Sequence, residues 1–249
     1  MECFIVRESD IYITTNTLIL RGDEARHAVR VLRISEGEQL MATTLQGFCY
    51  RAKCRKSGQV SKNEWECECS IEEILPEHNE PEFDVQLIQG ITQQQSKLEE
   101  IAEKVTELGV RSIAPIYSKR TEKRTINAER LERIIQTACK QTYRARMPML
   151  NDITGLADAL KHAKEEGRKM ILLHESAPLE DSLTGILATL RQKKLSIIIG
   201  PEGGFEESEV FLASNEYGAA IASLGKRRLR AETAAVSAIA ITMALGFSS

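Results

Sequence analysis

Two loops in the last quarter of the chain carry residue types suited to chemistry. Ile197-Ile198-Ile199 runs into Gly200-Pro201-Glu202-Gly203-Gly204, so an apolar strand ends in three glycines and a proline. A tight turn needs one glycine, whereas three let main-chain amides and carbonyls lie close against a small molecule. The second stretch, Leu224-Gly225-Lys226-Arg227-Arg228-Leu229-Arg230-Ala231-Glu232-Thr233-Ala234, sets four cations immediately before an apolar helix. Known phosphate loops do not fit, because no Gly-x-x-x-x-Gly-Lys-Ser/Thr is present and no Gly-x-Gly-x-x-Gly follows the first strand of the domain. The carboxylate of Glu202 would also repel a triphosphate, so the loop suits an uncharged or cationic cofactor held by main-chain groups. Arg230 stands between two buried elements, where a cation calls for an anionic or polar client such as an RNA phosphate or a base carbonyl. Glu232 has two readings, a carboxylate complementing the helix N-terminus or a ligand contact.

The formal net charge of -3 conceals a basic tract. Between Lys119 and Arg146 nine basic residues, including Lys119, Arg120, Arg124 and Arg144, face three acidic ones, a net of +6. A charge run is usually a solvated helix face, but too few acids lie nearby to pair with these bases, so a polyanion site competes. The six cysteines contain no Cys-x-x-Cys pair, and no set of four ligands is spaced for zinc, so no metal is expected. Cys67 and Cys69 share one face of an expected strand, as buried thiols do. No hydrophobic run approaches the ~20 residues that cross a bilayer, and the N-terminus lacks the pattern of a signal peptide, which reads as a cytoplasmic protein without a membrane partner.

The elements that position these loops fall into two groups. Residues 1–75 are dominated by short β-prone runs (Phe4 to Arg7, Tyr12 to Thr14, Glu38 to Ala42, Gly47 to Lys53, Glu64 to Ile74) interrupted by a helical stretch at Glu24 to Leu32. This pattern predicts a small β-barrel or β-rich module. Residues 76–82, with two prolines and strong polarity, read as a linker. From Phe83 to the end at residue 249, strands alternate with helices. Buried strands are predicted at Phe83 to Gln89, Val110 to Ile116, Lys169 to His174, Leu195 to Ile199 and Ala219 to Leu224. Between them Leu98, Ile101, Val105 and Leu108 mark one helix face, and Asn127 caps a helix whose stripe is Leu131, Ile134, Ile135 and Ala138. Further helices are predicted at Thr154 to Gly167, Leu183 to Gln192, Glu206 to Glu216 and Ala231 to Leu245. Alternation of this kind predicts a mostly parallel α/β sheet whose ligand lies outside the carboxyl ends of its strands.

Several motifs in one order resemble the RsmE family of SPOUT-class methyltransferases. They are Gly200 to Gly204, Leu224-Gly225 with Leu229 to Ala234, His27 to Arg33 followed by Gly37, Thr106 to Val110, Ser118-Lys119-Arg120, and Gln141, Arg144 and Pro148. The resemblance implies a SPOUT-type trefoil-knot α/β domain preceded by a small PUA-like β-barrel that helps to hold RNA, and a homodimer. It implies S-adenosylmethionine as cofactor, bound by Leu173, His174, Glu175, Gly200, Pro201, Glu202, Gly203, Gly204, Leu224, Gly225, Leu229, Ala231, Thr233 and Ala234. It further implies methylation of N3 of a specific uridine in 16S rRNA of the small ribosomal subunit. Arg230 is expected to stabilise the uridine anion, with Arg120 or Arg144 as helpers, and Glu232 or water to act as base. Arg21, Arg26, His27, Arg30, Arg33, Lys119, Arg120, Arg124 and Arg144 are expected to meet RNA. The alternatives are the same fold acting on another RNA base or a ribose 2′-oxygen, and a non-catalytic RNA-binding protein. Lys226, Arg228 and Ala231 depart from the proline, aliphatic residue and threonine common in the family.

Overall fold

Alternating apolar residues give the N-terminal strands one buried face and one wet one. The computed structural model describes residues 1–62, 64–122 and 124–246. Strands β1 (Cys3–Ile5), β2 (Ile11–Tyr12), β3 (Thr17–Arg21), β4 (Gln39–Thr43), β5 (Phe48–Ser61) and β6 (Glu64–Pro76) form one sheet in the order β1-β4-β5-β6-β3-β2. All its pairs are antiparallel except β1 with β4. Helix α1 (Gly22–Arg26) continues as a π-turn over His27–Val31. Phe4, Leu18, Leu20, Leu40, Ala52 and the thiols of Cys54, Cys67 and Cys69 fill the core. Burial pushes the Cys54 thiol up to about 11 and those of Cys3 and Cys139 up to about 12.

The strand expected at Tyr12 to Thr14 is instead the end of β2 and a 3-10 turn. Asn16, in the left-handed region at φ 50°, closes that turn and launches β3, which the sequence reading missed. The three consecutive aliphatics Leu18-Ile19-Leu20 blur its alternation, although only Leu18 and Leu20 are fully buried.

The chain divides into two units, Met1–Glu80 with Gln136–Met147, and Pro81–Ile135 with Pro148–Ser249. Most of the stretch read as a linker therefore belongs to the first unit, as does a segment assigned from sequence to the second. Carboxylates explain both. Glu80 receives Arg144 at 2.7 Å and the Arg146 amide at 2.9 Å, while Glu77 pairs with the Arg146 side chain.

The second unit holds β7 (Asp84–Gly90), α2 (Gln95–Glu107), β8 (Ser112–Tyr117), most of α3 (Ala128–Gln141), β9 (Met149–Leu150), β10 (Thr154–Gly155) and α4 (Leu156–Glu165). After these come β11 (Lys169–Leu173), α5 (Leu183–Thr189), β12 (Lys194–Ile199), α6 (Glu207–Phe211), β13 (Ala220–Ala222) and α7 (Ala231–Gly246). Its sheet is wholly parallel, in the order β10-β8-β7-β12-β11-β13 with β9 beside β8. Its central strands are buried on both faces, as their unbroken apolar runs require. Asn127 caps α3 as expected, its side chain accepting from the Arg130 amide at 3.1 Å. Thr154 and Gly155 form a strand, so the following helix starts at Leu156. From β7 the chain steps to β8 on one side, while β12 lies on the other, a reversal of the kind beside which ligands bind at strand carboxyl ends in open sheets.

Candidate active site

A cavity of about 710 Å³ lies at the carboxyl ends of β11, β12 and β13. The loop after β11 supplies Leu173, His174 and Glu175, and the loop after β12 supplies Gly200, Pro201, Glu202, Gly204 and Phe205. Behind β13 come Ser223, Leu224, Gly225 and the run Arg227 to Ala231, with Ala234 one turn into α7. Gln94 and Lys97, at the start of α2, and Arg120, after β8, close the wall.

Backbone contacts set the shape of the glycine loop. The Gly204 amide closes a turn on Pro201 O at 2.8 Å. Gly90, the last residue of β7, lies so close that a Cβ there would sit 2.3 Å from Pro201 N. Only glycine lets the strand end and the loop approach in this way.

Side chains fasten the loop from two further directions. Both oxygens of Glu202 accept from the Gln93 amide, at 3.2 and 3.1 Å, and Lys97 Nζ lies 3.4 Å from Oε1. Arg120 Nη1 donates to Gly203 O at 2.9 Å. On the opposite rim Arg228 pairs with Glu175 at 2.9 Å. Both carboxylates on the cavity wall are thus matched by a cation, while Arg120, Arg227 and Arg230 have no acidic partner among the described residues. The rim keeps an excess of positive charge. His174 Nδ1 lies 2.7 Å from Ser176 Oγ and 3.3 Å from the Ser176 amide nitrogen.

Most residues expected at the cofactor line this cavity, and Arg230 lies among them. Gly203 and Thr233 do not line it, and neither does Glu232, whose Oε2 is buried and has no hydrogen-bond partner among the described residues. Glu232 stands in the first turn of α7, which favours its helix-terminus reading over a ligand contact.

Of the residues expected to meet RNA, Arg144 is corrected by the structure. It is 1% exposed and its guanidinium is bound to Glu80, so it is neither available to phosphate nor able to assist Arg230. Arg21 spends its guanidinium on Asp10 and Glu66. Arg26, His27, Arg30 and Arg33 are exposed in the first unit, with Arg30 5.8 Å above the Trp65 ring. In the second unit Lys119, Arg120 and Arg124 are exposed, and Arg124 stands 4.6 Å over the Tyr117 ring.

Gln94, Lys97, Ile199, Phe205 and Ser223 also line the cavity and were not among the expected site residues, while Arg227 and Arg228 belong to the expected loop Leu224 to Ala234. For Gln94 and Lys97 a signal existed, since the rule that ligands sit at strand carboxyl ends applies to the loop after Gly90 as well.

Residues 79–243 match the RNA methyltransferase domain family, and residues 20–53 match the RNA methyltransferase PUA domain. Ribosomal RNA small subunit methyltransferase E of Bacillus subtilis is 30% identical over 232 residues, 90% of this chain and 88% of the relative. The Aquifex aeolicus protein of that name is 32% identical, over 92% of this chain and 94% of its own length. The crystal structure of ribosomal RNA small subunit methyltransferase E from Neisseria gonorrhoeae, bound to S-adenosyl methionine, superposes with a TM-score of 0.81 at 28% identity, covering 98% of each chain. With a PUA-like β-rich unit and a SPOUT-type α/β unit, and relatives matched along nearly their whole length, the chain belongs to the ribosomal RNA small subunit methyltransferase E family.

Proposed function

We propose that the protein transfers a methyl group from S-adenosylmethionine to N3 of a specific uridine in the 16S rRNA of the small ribosomal subunit. The single observation that carries this reading is the cavity itself, lined from three loops at strand carboxyl ends and bearing three arginines without acidic partners among the described residues. Its volume, about 710 Å³, falls in the range of small-molecule sites. Glu202, fixed by the Gln93 amide and Lys97, holds the glycine loop in place at this cavity. Leu173, Gly200, Leu224, Gly225, Leu229 and Ala231 would hold S-adenosylmethionine, which supplies an electrophilic methyl on a sulfonium when bound.

The work left to the protein is alignment and charge. Uridine N3 carries a proton at neutral pH, and its loss spreads negative charge over the flanking carbonyl oxygens. Arg230 lines the cavity and, always charged, can fork to such oxygens, strengthening as that charge develops. Neither carboxylate on the wall is unpaired, so the N3 proton passes to water. Arg26, Arg30, Arg33, Lys119 and Arg124 supply the exposed charge that tracks rRNA phosphates. The protein acts as a homodimer in the cytoplasm, where its substrate is assembled. Among the described residues no helix is long and apolar enough to cross a membrane.

The test is incubation of the protein and labelled S-adenosylmethionine with small subunits lacking the methyl, followed by nucleoside mass spectrometry. 3-Methyluridine is the expected product. Another methylated base, or a 2′-O-methyl nucleoside, would reassign the target. Absence of both methyl transfer and calorimetric cofactor binding would leave only an RNA-binding protein.

A further inference from the structure

The basic turn after β8 is built onto the segment that follows the cofactor loop. Its own geometry is closed by the Ser118 amide donating to Thr121 Oγ1 at 2.9 Å and the Thr121 amide donating to Ser118 O at 3.1 Å. The turn then meets the 200–209 segment at three groups, and Lys119 Nζ also pairs with Glu206 Oε2 at 3.4 Å. Arg120 Nη1 donates to Gly203 O at 2.9 Å, and a Cβ on Gly203 would stand 3.1 Å from Arg120 Cβ, so the two segments are in close contact. Lys119 Nζ donates to Ser208 Oγ at 2.8 Å. The third contact is buried. Glu209, 6% exposed, accepts the Lys119 amide on Oε1 and the Glu206 amide on Oε2, each at 2.9 Å.

We propose that Glu209 is a positioning residue that joins the basic turn and the cofactor loop into one body, so that rRNA and S-adenosylmethionine bind with positive coupling. This inference rests on the reading of the cavity given above. Oε2 closes a capping box at the start of α6, directly after the cofactor loop, and Oε1 reaches from there to the basic turn, in a buried place where hydrogen bonds to a charged group are at their strongest. A glutamine cannot replace it, because its amide nitrogen would face one of the two N–H donors. Arg120 carries the connection to the ligands. One of its five N–H donors is committed to the cofactor loop, and its side chain lines the cavity where an rRNA group would take others. Ordering of either segment by its ligand orders the other, and the second ligand then meets a loop already fixed.

The experiment measures binding of in vitro transcribed 16S rRNA to the full chain by filter retention, with and without S-adenosylhomocysteine, and the reciprocal calorimetric titration. In the wild type each ligand should tighten the other by about fivefold or more, a usual size for coupling between sites. In E209Q and in R120A the factor should fall below about twofold, and the double variant should lose no more than either single one. A merely structural Glu209 would lower thermal stability and weaken each ligand separately, yet leave the factor intact. Should E209Q not fold, E209D carries the test, because it keeps the charge and draws the carboxylate back from the Lys119 amide. Independent binding of both ligands to the wild type, or an unchanged factor in the Glu209 variant, would overturn the inference. Failure of either ligand to bind at all would instead sink the proposed function.

Discussion

Arg144→Ala separates a structural cation from an RNA-binding one. Arg144 and Glu80 have side chains 1% and 4% exposed, with Nη2 to Oε2 at 2.7 Å and Nε to Oε1 at 3.2 Å. Thr43 Oγ1 donates to the Arg144 carbonyl at 3.0 Å, so the residue is held from both ends. Truncation leaves Glu80 buried, with the Arg146 amide still donating to Oε1 but no guanidinium, and removing one partner of such a pair costs about 3–5 kcal/mol. Divided by a urea slope of about 1–2 kcal/mol per molar, that loss moves the midpoint of the first unit down by roughly 2 M or more. Trp65 is the only tryptophan in the chain and belongs to this unit, so its fluorescence follows the transition directly. Glu80→Gln should cause a comparable loss, and a double variant combining Arg144→Met with Glu80→Gln a smaller one than the single losses combined. An unchanged urea midpoint for Arg144→Ala, together with a salt dependence of rRNA binding shallower by about one charge, would refute this account and restore Arg144 as a phosphate contact.

Three further outcomes are expected. Gly90→Ala should displace the cofactor loop, because its Cβ would meet Pro201 N at 2.3 Å, and lower turnover about 100-fold; an unchanged rate and cofactor affinity would show that the close approach is unimportant. Arg230→Ala should slow single-turnover methylation of bound rRNA by about 10²–10³, and a near-normal rate would remove Arg230 from the chemistry. The third concerns pH. Burial raises the Cys3 and Cys139 thiols from 9.0 to about 12, so below pH 9 they are neutral whether the chain is folded or not. Above pH 9 only the unfolded chain ionises them, and stability falls as pH rises toward 12, by about 1.4 kcal/mol per thiol at pH 10. Urea titrations followed through Trp65 at pH 8 and pH 10 should show the loss, and Cys139→Ala should show less of it; equal midpoints at both pH values would contradict the burial argument.

The site was legible where composition is locally unusual. Three glycines after an apolar strand and four cations before an apolar helix need no long-range information, and those loops do form the cavity. The parallel strands were equally plain, since burial on both faces leaves an unbroken apolar run in β11 and β12. What stayed hidden depends on partners far along the chain. Glu80 meets Arg144 across 64 positions and Glu209 meets the Lys119 amide across 90. Read locally, Glu80 looks like part of a solvated linker and Arg144 like part of a basic tract, yet the two neutralise each other in a core. β6 was legible from Glu64, but the second half of β5, Cys54 to Ser61, was missed for another reason, since register shifts at Arg51/Ala52, Cys54/Lys56 and Gln59/Ser61 break the alternation that marks a strand.

The same separation of local from distant partners explains how this chain tolerates its departures from the family in the loop after β13. Arg228 stands where an aliphatic residue is common, and an unpaired fourth cation there would add to the repulsion among Arg120, Arg227 and Arg230. Instead it meets Glu175 from the loop after β11. Exposed pairs of this kind are worth about 0.2–1 kcal/mol, too little to define the loop but enough to keep the added charge from altering the rim. Lys97 plays the corresponding part opposite Glu202. With both wall carboxylates matched, the field over the cavity mouth is set by three arginines, one of them tied to the cofactor loop through Gly203. The loops after β11, β12 and β13 therefore enclose the small-molecule site while the arginine rim offers its charge to rRNA, and a single cavity can present a small sulfonium to an RNA base.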